Sequence, residues 1–440
     1  MRYLKKSSLK GIVTAPASKS QTHRAIIAAG LAEGESLIRG VQLSDDILAT
    51  IEGMRALGAE ISALDPKKLT QSLTIKGIGH SLTTEGQKVT SVKEPYPVIQ
   101  AKESGSTLRF LIPLVAIGSQ AFRFVGEGKL GQRPLSAYQT IFQQQGLTFD
   151  LLKQEPLDLV VAGPLSSGSY ELSGQLSSQF ITGLLLALPL LKGDSKLHVL
   201  GEMSSSGYVA ISLDVLEKFG VEIEEVDRQT YRIPGGQSYK AGELTIEGDF
   251  SQGAVYLCAG ILGHQVQVKG LSVDSVQPDR KVMTFLKAFG GMNWVEEDGT
   301  ISISANHRHG VVDLSGDQTP DIMPLLALVA ALSEGESRLT NLGRLRLKES
   351  DRLKAVEEEL TKIGADIRIE GDSWIIKGKS SFKGGVVVDS HHDHRIAMML
   401  ALASTYCDEP IYLQHSEVVR KSYPHFWEDW QKLGGSADLA

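Results

Sequence analysis

The 440-residue chain is long enough for two or more domains with cores of their own. With 42% hydrophobic and 22% charged residues and a net charge of -7, it reads as an ordinary globular protein and argues against a broad nucleic-acid-binding face. Two cysteines, Cys258 and Cys407, give no disulfide framework or cysteine zinc site and fit a reducing cytoplasm, and the longest apolar run, Phe180 to Leu191, is too short to cross a bilayer, so neither a membrane span nor a signal peptide is expected.

In chain order, Pro16-Ala17-Ser18-Lys19-Ser20-Gln21-Thr22-His23-Arg24 leads into an apolar helix over Ala25–Leu31. Its hydroxyls are good N-caps, free amides at a helix start attract anions, and Lys19 and Arg24 add full charge. The same residues also read as a capped helix with solvated basic side chains. Ser44-Asp45-Asp46-Ile47 opens a helix that closes on Leu57-Gly58. Glu103-Ser104-Gly105-Ser106-Thr107-Leu108-Arg109 repeats the design of a small flexible loop ahead of a helix with an arginine, without the lysine and spacing of a nucleotide P-loop.

Gly126-Glu127-Gly128-Lys129-Leu130-Gly131 matches G-x-G-x-x-G after the strand-like Phe122–Val125, with Asp150 downstream. Gln132-Arg133-Pro134 intervenes before the next helix, which Pro134 is expected to start at its first turn. An NAD-dependent oxidoreductase is the alternative this fingerprint raises. Ser177-Ser178-Gln179 opens the helix Phe180–Leu191, and Ser205-Ser206-Gly207-Tyr208 opens Val209–Phe219; each serves either as a cap or as a phosphate contact.

Asp321 follows Thr319-Pro320 and precedes the apolar helix Ile322–Leu332, so an N-cap is its default role. Behind Arg344 and Arg346, the run Lys348-Glu349-Ser350-Asp351-Arg352-Leu353 crowds four cations and two carboxylates where a strand hands over to a helix. Such a concentration is expensive unless something anionic is held there, and Asp321 with Glu349 makes a candidate acid and base pair. His391-His392-Asp393-His394-Arg395 has the composition of a metal cluster, but neighbours in so short a run rarely converge on one ion. It reads better as a basic helix start before Ile396–Ala403.

One unit recurs: a small-residue helix end, a tight turn and a short strand, as in Leu31-Ala32-Glu33-Gly34-Glu35-Ser36 and Leu332-Ser333-Glu334-Gly335-Glu336-Ser337. Helices closing on Gly58, Gly146, Gly220, Gly290 and Gly364 mark the same rhythm, about 70 to 85 residues apart, which suits repeated α/β subdomains. Six units in two domains are expected, with crossings at Ala15-Pro16-Ala17 and at Pro234-Gly235-Gly236-Gln237-Ser238. Residues 18–236 then form a domain inserted into one made of 1–17 and 237–440, with a substrate cleft between them.

Together these motifs resemble the 5-enolpyruvylshikimate-3-phosphate synthase family of enolpyruvyl transferases. The likeness rests on Ser18-Lys19-Ser20-x-x-x-Arg24, the Gly105 loop with Arg109, Arg133-Pro134, Ser177-Ser178-Gln179, Ser205-x-x-Tyr208, Pro320-Asp321, Lys348-Glu349-x-Asp351-Arg352-Leu353, Asp393-His394-Arg395 and Lys421-x-x-Pro424. It implies a two-domain inside-out α/β barrel of six βαβαββ-type subdomains. It also implies transfer of the enolpyruvyl group of phosphoenolpyruvate to the 5-hydroxyl of shikimate 3-phosphate, with no metal and no cofactor, by a cytoplasmic monomer whose partners are small molecules.

By the same resemblance, Lys19, Ser20, Arg24, Ser177, Ser178, Gln179, Ser205, Tyr208, Asp321 and Lys348 hold shikimate 3-phosphate. Lys19, Gly105, Arg133, Gln179, Arg352, Arg395 and Lys421 hold phosphoenolpyruvate, and Glu349, Asp321 and Lys19 move protons. Two positions depart from the family pattern: Glu103, where an asparagine is usual, followed by Ser104, and Arg344, where many members have asparagine. The nearest alternative acceptor is UDP-N-acetylglucosamine, but the Gly126–Arg133 loop lacks the cysteine or aspartate usual in that sister family.

Overall fold

The structure is a computed structural model and describes residues 1–79, 96–203 and 205–439. It divides into two compact units: an inserted unit, Lys19–Ile246, and a split unit, Met1–Ser18 with Glu247–Ala440. The expected crossing at 236/237 falls ten residues too early. Strand Glu243–Thr245 pairs in parallel with Glu35–Val41, which binds the intervening chain to the inserted unit.

Among the described residues each unit holds three four-stranded sheets built by one rule, in which a parallel pair is extended by two antiparallel strands. In the inserted unit the parallel pairs are Glu243–Thr245 with Glu35–Val41, Val98–Lys102 with Phe122–Gly126, and Ser169–Ser173 with Ser195–Leu200. In the split unit they are Lys10–Thr14 with Gln265–Lys269, Leu314–Ser315 with Glu336–Thr340, and Val387–Asp389 with Ile411–Gln414. Two sheets of the split unit draw on the first residues of the chain, since Arg2–Leu4 also pairs with Ile411–Gln414.

Among the described residues the helices of the inserted unit are α1 (Lys19–Leu31), α2 (Asp45–Ala56), α3 (Gly105–Val115), α4 (Ser136–Gln145), α5 (Ser178–Ala187) and α6 (Ser206–Lys218). Those of the split unit are α7 (Phe250–Ile261), α8 (Val282–Ala288), α9 (Met323–Ala331), α10 (Arg352–Ile363), α11 (His394–Ser404) and α12 (Phe426–Lys432). Every residue of α7, α9 and α11 is buried, and these three pack on one another. A helix apolar all round belongs at the centre of a core, and an amphipathic one such as α10 covers it. The sheets lie outside, so their strands alternate buried and exposed side chains, as along Glu35–Val41.

This layout fixes where chemistry can sit. Each buried helix precedes the second strand of a parallel pair, Gln265–Lys269, Glu336–Thr340 or Ile411–Gln414, so their N-termini and free amides gather at one end of their unit. Among the described residues no helix is long and apolar enough to cross a membrane.

Candidate active site

In the split unit the residues singled out by sequence meet on one guanidinium. Arg352, 1% exposed at the first position of α10, donates from Nη1 to Asp321 (2.7 Å), from Nη2 to Glu349 (2.8 Å) and from Nε to Asp393 (2.7 Å). Lys348 Nζ reaches the same Asp321 oxygen at 3.3 Å, and Arg395 Nη2 lies 3.5 Å from the other. Three cations and three carboxylates thus share one partly closed site in which Arg352 and Asp393 are buried and Asp321, Glu349 and Lys348 keep some solvent contact.

Three features of this cluster differ from the sequence reading. Asp321 does not cap α9; the cap residue is Ile322, without a side-chain capping bond, and the carboxylate turns to the cations instead. Arg344 and Arg346 lie on a 3-10 turn, Gly343–Leu347, rather than on a strand. The crowded run also divides in two. Arg346 faces outward to Asp351 (3.5 Å) and Asp372 (3.6 Å), whereas Lys348, Glu349 and Arg352 face inward. Asp351 caps α10 through Lys354 N, while in the earlier copy Ser44 caps α2.

Burial pushes the Asp321 carboxyl up, but Lys348, Arg352 and Arg395 outweigh it and hold the group well below the ordinary carboxylate range. Burial lowers the Lys348 ammonium, against the pull of Asp321, and the three carboxylates hold Arg352 firmly charged against its own burial. Arg395, 3% exposed, donates to Ser251 O at 2.9 Å, and its Nε has no partner among the described residues. Lys421, on the 3-10 turn Ser416–Lys421, is also buried.

Asp393, which the sequence presents within a basic run, has three duties. It caps α11 through Arg395 N (2.9 Å), clamps Arg352 and accepts from Ser350 Oγ (3.1 Å). Aspartate just before an apolar helix is the sequence signal for the cap; nothing local signals the partner 41 residues back. His391 turns away from this site to Glu359 (2.8 Å) and Glu358 (4.0 Å). These three offer ligand atoms within 4.8 Å, but the Glu359 oxygens already take Lys362 Nζ and Asp389 N.

In the inserted unit, Lys19 opens α1 and pairs with Asp46 of α2 at 2.9 Å. Arg24, 3% exposed, donates to Ser212 Oγ (2.7 Å), Ser20 O (2.6 Å), Tyr208 O (3.0 Å) and Thr182 Oγ1 (3.3 Å), with Phe110 5.0 Å beneath it. Burial pushes this guanidinium down to about 9, which still leaves it charged at neutral pH. A buried cation held by neutral acceptors suits an incoming anion. Ser177 caps α5, with Ser178 and Gln179 in its first turn, whereas Ser205 precedes α6 in a left-handed conformation without a side-chain cap.

Gly105, at the start of α3, is enclosed by cationic and amide groups. A Cβ there would sit 3.0 Å from Arg133 Nη1, 3.2 Å from Gln179 Oε1 and 3.5 Å from Arg109 Nη1. Gln179 in turn holds Arg109 (2.7 Å) and Ser106 (2.9 Å). Gly105→Ala should therefore push Arg133 and Gln179 aside by a few tenths of an ångström. About 1–2 kcal/mol of overpacking implies a roughly tenfold rise in KM for any anion seated there, with less effect on stability. Unchanged KM in steady-state kinetics would refute that geometry.

The dinucleotide-like glycines have a different purpose. A Cβ on Gly128 would overlap the Glu103 carboxylate, one on Gly131 the Gln154 carbonyl, and one on Gly126 would come within 2.8 Å of Leu130. The loop enters a 3-10 turn, Leu130–Gln132, and α4 begins only at Ser136, after Pro134 O has accepted a bond from Arg109. Pro134 is thus held outside the helix it was expected to start. The glycines run into a 3-10 turn rather than directly into an α-helix, so the loop lacks the pyrophosphate seat of a dinucleotide fold.

Comparison with known proteins shows the family. The family model for EPSP synthase (3-phosphoshikimate 1-carboxyvinyltransferase) matches residues 4–430. The 3-phosphoshikimate 1-carboxyvinyltransferase of Clostridium novyi is 45% identical over 435 residues, covering 98% of this chain and 97% of the relative. That of Clostridium beijerinckii is 46% identical over 431 residues, covering 98% and 96%. The chain belongs to the EPSP synthase family.

Among solved structures, an EPSP synthase from Acinetobacter baumannii has TM-score 0.80 at 24% identity, covering 100% of this chain and 99% of that one. The enolpyruvyl transferase NikO from Streptomyces tendae has TM-score 0.77 at 17% identity, covering 99% and 97%. At these identities the likeness is one of fold, the mixed α/β enolpyruvyl transferase fold.

Proposed function

We infer that the chain is a 3-phosphoshikimate 1-carboxyvinyltransferase of aromatic amino acid biosynthesis, moving the enolpyruvyl group of phosphoenolpyruvate to the 5-hydroxyl of shikimate 3-phosphate. The observation that carries this reading is the seating of Asp321 and Glu349 on one guanidinium, at 2.7 and 2.8 Å, in a chain of this family. Two carboxylates held close, among cations suited to phosphate and carboxylate, are what an addition and an elimination at one carbon require.

The chemistry divides among the named side chains. Arg24, Ser20, Ser177, Ser178, Gln179, Ser205 and Tyr208 hold shikimate 3-phosphate, with Lys19, Asp321 and Lys348 contributing. Gly105, Arg133, Gln179, Lys19, Arg352, Arg395 and Lys421 hold phosphoenolpyruvate. The 5-hydroxyl oxygen bonds to C2 of phosphoenolpyruvate, Asp321 takes the hydroxyl proton, and Glu349 gives a proton to C3. Glu349 then takes a proton back from the new methyl group as the C2–O bond to phosphate breaks, with Lys19 assisting.

A carboxylate as depressed as Asp321 is a weak base. Anionic substrates draw Lys348 and Arg395 away from it, so its basicity rises when the substrate arrives. Binding and activation are thereby linked.

The test is release of phosphate from phosphoenolpyruvate, with shikimate 3-phosphate or UDP-N-acetylglucosamine as the acceptor. Release with shikimate 3-phosphate alone is expected; release with only the sugar nucleotide overturns the assignment. In this reading the enzyme is a cytoplasmic monomer, as the family resemblance implies, and its two cysteines are free thiols. The assay is run on material sedimenting at 47.6 kDa, and activity confined to a heavier species overturns the monomer.

A further inference from the structure

We propose that His23 is a positioning residue: a neutral imidazole, protonated at Nδ1, that acts through Thr50 and Thr107 to set the Ser104 hydroxyl and the Gly105 turn. The proposal rests on the reading of the Gly105 turn as a phosphoenolpyruvate contact.

His23 lies one turn into α1 and is fully buried. Its Nδ1 is 2.7 Å from Thr50 Oγ1 on α2, and Thr50 Oγ1 is 2.7 Å from Thr107 Oγ1 on α3. Thr107 Oγ1 donates to Ser104 Oγ at 2.8 Å, and Ser104 Oγ also accepts the Thr107 amide at 3.1 Å as the cap of α3. All four side chains are closed to solvent. One chain of hydrogen bonds therefore ties three helices together just below the N-termini that carry Lys19, Asp46 and Gly105.

The direction of the chain follows from proton counting. His23 Nε2 is buried and has no partner among the described residues, with Phe110 edge-on to the ring at 6.4 Å. An orphaned buried N–H is costlier than an orphaned lone pair, so the single proton belongs on Nδ1. His23 then donates to Thr50, Thr50 to Thr107 and Thr107 to Ser104, each hydroxyl giving its one hydrogen onward. Burial keeps the ring neutral by lowering it to about 3, and Asp46, which favours its charge, is offset by Lys19 and Arg24.

The chain also limits movement of the turn. Thr107 Oγ1 also reaches Asp46 O at 3.4 Å, and rotating it towards that longer contact strands Ser104 and loosens the cap. A looser cap lets the Gly105 and Ser106 amides swing relative to Arg133 and Gln179. That affects how phosphoenolpyruvate is held rather than how fast protons move.

Two measurements on the full chain test this. Nitrogen-15 spectra of histidine-labelled protein, with His23 assigned by its loss in His23→Asn, should show an Nδ1-protonated neutral ring unchanged from pH 5 to 9. An Nε2-protonated or titrating ring overturns the tautomer and the direction. Thr50→Val and His23→Leu should speed amide exchange at residues 104–107 and raise KM for phosphoenolpyruvate about tenfold, with kcat within threefold and KM for shikimate 3-phosphate unchanged. His23→Asn, whose amide nitrogen can take the place of Nδ1, should restore KM to within threefold. Unchanged exchange at 104–107 in both Thr50→Val and His23→Leu overturns the brace. Should the unaltered enzyme ignore phosphoenolpyruvate, the functional reading fails, while the ring spectra and amide exchange still decide the brace.

Discussion

Arg352→Met is expected to cost about 3–5 kcal/mol of stability in the split unit and to abolish turnover. The change removes a cation that touches Asp321, Glu349 and Asp393 together, and it takes that guanidinium from the wholly buried Asp393. Methionine fills much of the space, so the loss is electrostatic rather than a cavity. All four tryptophans, Trp294, Trp374, Trp427 and Trp430, belong to this unit, and Trp374 donates to Leu353 O beside the altered position. Urea unfolding followed by tryptophan fluorescence therefore reads the affected unit directly.

The deficit should also depend on pH in a definite direction. In the unaltered protein Asp321 titrates below its unfolded range near 3.8, so its contribution is complete above that range and is lost only as pH falls through the depressed value. The part of the gap that comes from Asp321 should therefore hold from pH 7.5 to 4.5 and close only as pH falls below about 3.8. A gap that already closes between pH 7.5 and 4.5 would show that the Asp321 contact is not its source. Arg352→Lys should recover only part of the loss, because one ammonium cannot reproduce the planar fork.

Glu349→Gln is expected to lower kcat by about 10²- to 10⁴-fold while leaving the KM for both substrates within about threefold. Glutamine keeps the size of the side chain and can still accept from Arg352 Nη2, which stays anchored by Asp321 and Asp393. What is lost is a group able to give and take the C3 proton. In deuterated water the unaltered enzyme should exchange solvent deuterium into C3, and the variant should lose that exchange in step with kcat. Full exchange with slow turnover would move the role to another group.

The helices and the repeat were legible because their signals are local. Glycine after an apolar helix, a hydroxyl before one, and the Glu-Gly-Glu-Ser turn act over a few residues, and the helix caps at Ser44 and Ser177 follow from them. Asp321 shows where such reasoning stops. Its neighbours in sequence favour a cap, but three cations brought in from residues 348, 352 and 395 offer far more than one amide.

Gly126–Gly131 errs the other way. Its spacing suggests a nucleotide, but its glycines exist to admit Glu103, Gln154 and Leu130, none of which periodicity can place. The boundary misplaced at 236 has a related cause: the turn-rich Pro234–Ser238 is a real loop, but the strand that closes the inserted unit comes after it. Partnership between distant strands leaves no mark in local composition.

That pairing of distant strands sets a timetable during synthesis. Lys19–Ile246 leaves the ribosome as a continuous piece and can close its three sheets as soon as Glu243–Thr245 emerges. Arg2–Leu4 and Lys10–Thr14 are made first but find their partners only at Ile411–Leu413 and Gln265–Lys269. At translation rates of about 5–20 residues per second, the first strand waits roughly 20–80 s with its edges unpaired. The opening residues of the chain are therefore the last to be secured, and an extension or deletion there acts on the unit that finishes folding at the other end.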